Sequence, residues 1–280
     1  MTSSLLLSAT TFIYGLAGFI YIFAWVFRKA AAGQLGTWVA FIGLATNTAG
    51  IALRWVESYQ MGFGHAPMSN LYESLIFFAW TIIVIYLYIE WRYSNRVIGA
   101  FSAPLAFLTM AYASLSPNVS DRIQPLIPAL KSNWLIAHVL TCFVGYGAFA
   151  VAFGVSIMYL LKARRGQGDG SLVSRFPSTS VLDELTHQLV MFGFLFLCAG
   201  IITGAVWANS AWGRYWGWDP KETWSLITWF IYAGLLHARL MRGWRGRRIA
   251  YLSILGFGAV LFTYFGVNLL PGLHSYQSMQ

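Results

Sequence analysis

The stretch LTHQLVMFGFLFLCAGIITGAVW, residues 185–207, contains no aspartate, glutamate, lysine or arginine. A helix needs roughly 20 mostly apolar residues to cross a hydrocarbon layer of about 30 Å. Backbone N–H and C=O groups find no water in that layer, so a spanning segment must bond them internally, as a helix does. We therefore predict a transmembrane helix over residues 185–207, and the rest of the chain is read from it.

Seven further apolar runs of similar length occur along the 280 residues. The predicted helices run approximately over residues 5–27, 37–56, 71–89, 97–115, 134–161, 185–207, 224–241 and 251–270. Two are imperfect, because Arg54 lies near the end of the second and Glu73 near the start of the third. The chain is 58% hydrophobic and 10% charged, which excludes an average soluble domain. The fold prediction is an all-α, polytopic integral membrane protein in the lipid bilayer, with about eight transmembrane helices and a single membrane domain over residues 1–280.

The distribution of lysine and arginine predicts the orientation. When alternate loops are assigned to opposite sides, 13 of the 18 basic residues fall on one side and five on the other. Basic residues accumulate on the inner side of membranes, so both termini are predicted to lie on the outer side. The net charge of +9 follows from this topology. The basic residues are spread over four short loops without a continuous patch, so we expect no nucleic-acid partner.

The segment WANSAWGRYWGWDPKETW, residues 207–224, contains five tryptophans in 18 residues. Tryptophan is common where helices meet the membrane surface, which accounts for Trp207 and Trp224 at the helix ends. Three others are predicted to fall in the connecting segment: Trp212, Trp216 and Trp218. One interpretation is a loop that dips into the lipid headgroups. The other, which we favour, is a large planar ligand that stacks on the indoles while nearby glycines let the backbone approach it. The candidate aromatic contacts of this ligand are Trp207, Trp212, Trp216, Trp218 and Trp224.

Two helix starts are readable from the polar residues before the apolar runs. Asp219, followed by Pro220, is typical of an N-cap with proline at the first helical position, and it predicts the start of helix seven. Asn133 before Trp134 predicts the N-cap of helix five in the same way. Asp219 is also a candidate contact of the ligand.

Three of the five histidines are candidate ligands. His138 lies four residues after Trp134 and His274 lies in the tail after the last helix, so both are predicted on the outer side. His237 lies 13 residues after Trp224, about 20 Å along helix seven toward the inner leaflet. An ionisable residue inside a membrane helix indicates function. The alternatives are a neutral imidazole bonded to a neighbouring helix for His237, and contact with interfacial water for His138.

A porphyrin fits this combination of residues. It is broad and apolar, its iron accepts imidazole on either face, and its two propionates could pair with Arg214 or Lys221. His138 and His274 are available for the two axial positions. Cys142 and Cys198 belong to no CxxC pair and are interpreted as small buried apolar residues, although Cys142 lies one turn from His138.

The tryptophan segment and its continuation SLITWFIYAGLLHARL resemble the "WWD" signature of the haem-handling proteins of cytochrome c biogenesis. The DPKETW ending is most similar to the CcsA branch, also called ResC, and CcsB in some bacterial naming. Similar motifs cover most of the chain: GHAPMSNLYES at 64–74, KSNWLIAHV at 131–139, LDELTHQLVMFGF at 182–194 and NLLPGLHSY at 268–276.

The resemblance implies a membrane subunit of the System II cytochrome c synthase. Such a subunit works with a CcsB/ResB-type partner, carries haem b (iron protoporphyrin IX) to the outer face, and presents it for thioether attachment to the CxxCH motif of apocytochrome c. It implies His138 and His274 as ligands of the external haem, and His237 as a ligand within the bundle during transit, with the second ligand from the partner. The implied location is the bacterial cytoplasmic membrane rather than the thylakoid.

Two alternatives remain open at the level of sequence. A haem transporter or chaperone of the CcmC kind would need the same binding residues without a direct part in ligation. An ion or proton transporter using His237 would need several polar groups along the bundle, and helices four to eight offer few. The chain also lacks the large soluble outer domain and the partner half of the fused family members.

Overall fold

The computed structural model describes residues 2–165 and 172–270. Within that part, the regular structure is entirely helical. The eight long helices are α1 (Ser3–Phe27), α2 (Ala30–Gln60), α3 (Leu71–Tyr93), α4 (Gly99–Leu115), α5 (Asn133–Arg165), α6 (Thr179–Trp212), α7 (Pro220–Arg242) and α8 (Arg247–Tyr264). The prediction of an all-α chain with about eight helices is confirmed.

Seven of these helices are long and apolar enough to cross a membrane, counted over the described residues. The eighth long helix, α7, has sufficient length at 23 residues, but it is not among the seven. Its composition explains the difference, because it carries His237 and Arg239 in its second half and a run of serine, threonine and tryptophan in its first. The prediction of a polytopic membrane protein is confirmed. Among its long helices α7 is the most polar.

The helix boundaries correct two details of the sequence analysis. α6 continues to Trp212 before Gly213 ends it in the left-handed conformation (φ 72°), so Trp212 lies on a helix and the connecting segment is only residues 213–219. The predicted N-cap at Asn133 is wrong, because α5 already begins at that residue. The side chain of Ser132 instead accepts a hydrogen bond from the backbone N–H of Trp134 at 3.2 Å. Neighbouring polar residues compete for one cap, and the local backbone selects between them.

The chain divides into two compact units, and the first contains α1 to α4. In this unit α1 packs against α2 and α4, and α3 packs against α4. A buried ion pair joins Arg54 on α2 to Glu73 on α3, with 2.8 Å between Nε and Oε1. The two residues that interrupted the predicted apolar runs are therefore partners of each other, which pairs two opposite charges away from water.

The second unit contains α5 to α8. α5 packs along α6 over a long interface, and both α5 and α7 pack against α8. Near the predicted inner end, Arg239 on α7 pairs with Asp183 on α6. Asp183 also accepts a hydrogen bond from the backbone N–H of Gly246, which precedes α8. The single membrane domain over residues 1–280 stays a prediction beside these two units.

Candidate functional site

The site begins where α5 and α6 pack together, at His138. The imidazole of His138 stacks on the indole of Trp207, with 6.0 Å between ring centroids and 14° between planes. Trp207 is buried, and Trp212 meets it edge-on at 4.9 Å. Two residues that the sequence analysis selected separately, His138 and Trp207, are thus brought into contact through helix packing.

A hydrogen bond fixes the orientation of the His138 ring. Its Nδ1 lies 2.8 Å from the carbonyl oxygen of Gly200 on α6. Because a carbonyl only accepts, Nδ1 is assigned as the N–H donor and Nε2 as the unprotonated nitrogen. This arrangement, with one ring nitrogen held by a backbone carbonyl, is typical of histidines that bind a metal through the other nitrogen.

Two glycines of α6 make room for this arrangement. A Cβ atom at Gly204 would lie 2.6 Å from Nδ1 of His138, and a Cβ at Gly200 would lie 2.6 Å from Sγ of Cys142. Neither glycine was selected from the sequence, although the spacing G-x-x-x-G in an apolar helix is a signal of close helix packing. Cys142 lies one turn from His138 as predicted, with 3.6 Å between Sγ and Nδ1.

The connecting segment forms a tight turn around the carboxylate of Glu222. Oε2 of Glu222 accepts hydrogen bonds from the backbone N–H groups of Gly217, at 2.7 Å, and Asp219, at 3.1 Å. Between these two residues, Trp218 adopts a positive φ of 57°, which is unusual for a bulky side chain. Its indole is 69% exposed. Glu222 therefore holds Trp218 in a strained backbone conformation that presents its ring outward.

The start of α7 confirms the predicted cap. The Asp219 side chain accepts from the backbone N–H of Lys221 at 2.9 Å, Pro220 occupies the first helical position, and Glu222 completes a reciprocal capping box. Glu222 was not selected from the sequence, although an aspartate followed three residues later by glutamate is the recognised signature of this motif.

The two candidate cations for a propionate have different surroundings. Nζ of Lys221 lies 3.4 Å from the side-chain oxygen of Asn268, in the short helical turn Gly266–Leu269 after α8. Arg214 is exposed, and its guanidinium covers Gly217, where a Cβ would lie 2.7 Å from Cζ. Arg214 is thus the cation presented on the same turn as Trp218.

The remaining tryptophans take different positions. Trp216 meets Trp218 edge-on, with 5.8 Å between centroids. Trp224 packs against Phe262 of α8 at 4.1 Å, and its carbonyl oxygen accepts hydrogen bonds from Thr228 and Thr263. These contacts make Trp224 a residue that attaches α7 to α8.

Three other histidines, two of them candidate ligands, have different positions. His237 is exposed on α7, so the expectation that it lies inside the helix packing is wrong; the sequence period did not establish which face of α7 meets its neighbours. His274 lies outside the described residues. His65 is buried, and its ring nitrogens lie 3.1 Å from the carbonyl oxygen of Ala66 and 2.9 Å from that of Gln124, which links two loops of the first unit.

Fold and site together define a helical membrane protein that holds a histidine against tryptophan near the end of a helix pair. Residues 68–274 match the family model described as cytochrome C assembly protein. The chain is 40% identical to the cytochrome c biogenesis protein CcsA of Guillardia theta over 86% of this chain and 85% of that protein. It is 38% identical to the CcsA of Gloeobacter violaceus over 92% of this chain and 90% of the relative.

A solved structure shows the same fold at low identity. The cytochrome c haem lyase CcmF superposes with a TM-score of 0.73 at 17% identity, over 95% of this chain. This chain spans 47% of the CcmF chain. This chain belongs to the CcsA family of cytochrome c biogenesis proteins. Its role is therefore in cytochrome c maturation.

Proposed function

We propose that this protein is the membrane subunit of a System II cytochrome c synthase that binds haem, carries it across the membrane and presents it on the outer face. In this proposal apocytochrome c supplies the thiols of a CxxCH motif, and a CcsB/ResB-type membrane protein completes the enzyme. The proposed membrane is the bacterial cytoplasmic membrane. The observation that carries the proposal is the position of His138, stacked on Trp207 and bonded through Nδ1 to Gly200.

The residues present fit haem b. The tautomer assigned to His138 leaves Nε2 as the nitrogen that would bind iron, and we propose His274 as the second axial ligand. Trp207 and Trp212 supply aromatic surface beside His138, and Trp216 and Trp218 supply it on the turn. Arg214 is the favoured partner of a propionate because Lys221 already contacts Asn268. Asp219 and Trp224 support the turn and the start of α7.

Haem, when bound, supplies two vinyl groups that form thioether bonds with cysteine thiols. The contribution of this chain is to hold and orient: His138 fixes one face, the indoles hold the ring plane, and Arg214 sets its rotation. Such positioning accelerates a reaction between two bound groups by raising their effective concentration. The chain contains no CxxCH sequence, so it is expected to hold haem without a covalent bond.

The ligand assignment is tested by the haem Soret spectrum of the purified full chain. His138→Ala is expected to lose most bound haem, and added imidazole is expected to restore it, because the vacated position can accept a free ligand. His65→Ala serves as the control, since both of its ring nitrogens face backbone carbonyls in the other unit. A wild-type spectrum in His138→Ala without imidazole would show that this histidine is not a ligand.

The synthase assignment is tested separately from haem binding. The chain is expressed with and without a CcsB/ResB-type partner beside a reporter apocytochrome, and covalent haem on the reporter is stained. Covalent product that requires both membrane proteins is the expected result. Haem bound to the chain without partner-dependent product on the reporter would favour a transporter or chaperone that delivers haem without taking part in ligation.

A further inference from the structure

The candidate haem site lies entirely in the second unit, and the first unit carries a different polar centre around Glu90. This carboxylate is buried near the predicted inner end of α3. It accepts hydrogen bonds from the hydroxyls of Tyr21, Tyr86 and Thr37, and from Nε of Arg96 at 3.1 Å. Four donors from α1, α2, α3 and the turn before α4 converge on one carboxylate, so its position is strongly determined.

This centre fixes the direction of the Arg96 side chain. Nε of Arg96 also lies 3.2 Å from Oγ1 of Thr37 on α2. The aliphatic part crosses Gly33, where a Cβ would come within 3.0 Å of Cδ of Arg96. Since Nε is engaged by Glu90 and Thr37, the two terminal nitrogens are the donors left to point away from the carboxylate. The side chain is 43% exposed, so these donors face the surface.

Arg96 forms one wall of an open groove of about 410 Å³. The other lining residues come from one stripe of α2, at the spacing i, i+3, i+4, i+7: Gln34, Thr37, Trp38 and Phe41. Trp38 is 69% exposed and Phe41 is 48% exposed, so the groove is amphipathic, with a guanidinium and an amide at one end and aromatic surface at the other.

The charge around the groove favours an anion. Four basic residues lie in or beside the helix connections at this end of α1 to α4: Arg28, Lys29, Arg92 and Arg96. Among the described residues of α1 to α4 and these connections, the carboxylate at this end is that of Glu90. The positive-inside prediction places this end at the inner leaflet, where anionic lipid headgroups concentrate. A ligand with a negative headgroup and an apolar body matches both walls of the groove.

We propose that this groove binds an anionic phospholipid, with the terminal nitrogens of Arg96 donating to the headgroup phosphate. Gln34 lies beside the headgroup, and Trp38 and Phe41 contact the glycerol and upper acyl region, where amphipathic aromatic rings are favoured. The site belongs to the first unit and is independent of the haem proposal.

The test uses the full chain, purified in mild detergent and examined by native mass spectrometry and thermal unfolding. Phosphatidylglycerol is expected to remain bound and to raise the unfolding midpoint, whereas phosphatidylcholine and inorganic phosphate at equal concentration do neither. Arg96→Gln is expected to weaken phosphatidylglycerol retention roughly tenfold or more, the loss typical of one charge-assisted hydrogen bond. Arg92→Gln is the matched control, because Arg92 is exposed at the same end but does not line the groove.

A second variant keeps the test decisive if Arg96→Gln unfolds by leaving Glu90 without its cation. Trp38→Ala removes an exposed ring of the groove and is expected to fold normally while losing phosphatidylglycerol retention. Equal retention of phosphatidylglycerol and phosphatidylcholine would overturn the proposal. So would equal loss in Arg92→Gln and Arg96→Gln, or Arg96-dependent stabilisation by inorganic phosphate that matches that of the lipid.

Discussion

At the scale of the single residue, Trp218 has the least favourable backbone conformation of the site. A left-handed conformation costs an L-residue roughly 1–2 kcal/mol, and the cost is accepted here because Glu222 bonds the N–H groups on both sides of Trp218. Strain held in this way is found where a side chain has to be presented in one direction. The exposed indole of Trp218 is the feature that this turn presents.

Because of this strain, we predict that Trp218→Gly stabilises the protein but weakens haem binding. Trp218→Gly removes the steric cost but adds the greater chain entropy of glycine, so unfolding should become less favourable by about 0.5–1 kcal/mol. Haem retention should fall because the indole is lost. Trp216→Gly is the matched control, since it breaks the same ring pair without relieving a positive φ. Thermal unfolding of both variants is the measurement, and a lower midpoint for Trp218→Gly than for Trp216→Gly would contradict the account.

At the scale of helices, the α5–α6 interface positions His138. Gly204→Ala adds a methyl carbon that would lie only 2.6 Å from Nδ1 of His138. The ring should turn away from Gly200 and the Soret spectrum should lose its histidine signature, with recovery on adding imidazole. Alanine is more favourable than glycine inside a helix by about 1 kcal/mol. If the contact with His138 were irrelevant, Gly204→Ala would therefore only stabilise the protein and leave the spectrum unchanged.

Gly258→Ala is the control for that experiment. It lies in α8, where a Cβ would meet nothing within 4 Å. This variant should keep the wild-type spectrum. An unchanged spectrum in Gly204→Ala as well would show that the glycine does not position His138.

Within the first unit, the buried ion pair of α2 and α3 is predicted to dominate local stability. Arg54 and Glu73 expose 2% and 0% of their side chains, so Glu73→Gln leaves a buried charge unpaired and should destabilise the protein by about 3–5 kcal/mol. The control is Glu184→Gln, which also removes a carboxylate from an arginine but at a glutamate side chain that is 53% exposed. Its effect should stay below about 1 kcal/mol.

Thermal unfolding with and without haem distinguishes an effect of Glu73→Gln on stability from an effect on the haem site. Glu73→Gln should lower the midpoint while the Soret spectrum of the folded fraction stays that of the wild type. If the haem spectrum of Glu73→Gln changed at temperatures where the protein is folded, the ion pair would have a role in the haem site.

At the scale of the whole molecule, we propose that His237 binds haem together with a ligand from the CcsB/ResB-type partner. The residue is exposed on α7, so a haem bound there would need a second ligand from another protein. His237→Ala should therefore leave the spectrum of the chain alone unchanged, and lower the haem content of the complex with a CcsB/ResB-type protein. His138→Ala should lower haem in both preparations. Loss of haem from the isolated His237→Ala chain would contradict this division of roles.

The sequence alone determined the features that depend on local composition. Uncharged runs of about 20 residues predicted the long helices, because lipid leaves the backbone no alternative. Asp219 and Pro220 predicted the start of α7, since a cap depends on its own residue and the next few. The density of tryptophan between residues 207 and 224 predicted a ligand-binding segment between α6 and α7, and that site stays a prediction.

Only the tertiary structure decided which residues meet. Helix periodicity gives the spacing of side chains along one helix but not the face that a neighbour covers, so His237 was placed inside and is exposed. The pairing of Arg54 with Glu73 and the stacking of His138 on Trp207 each join residues on different helices. Such contacts depend on how closely two backbones approach, which at His138 is decided by the absence of a side chain at Gly204.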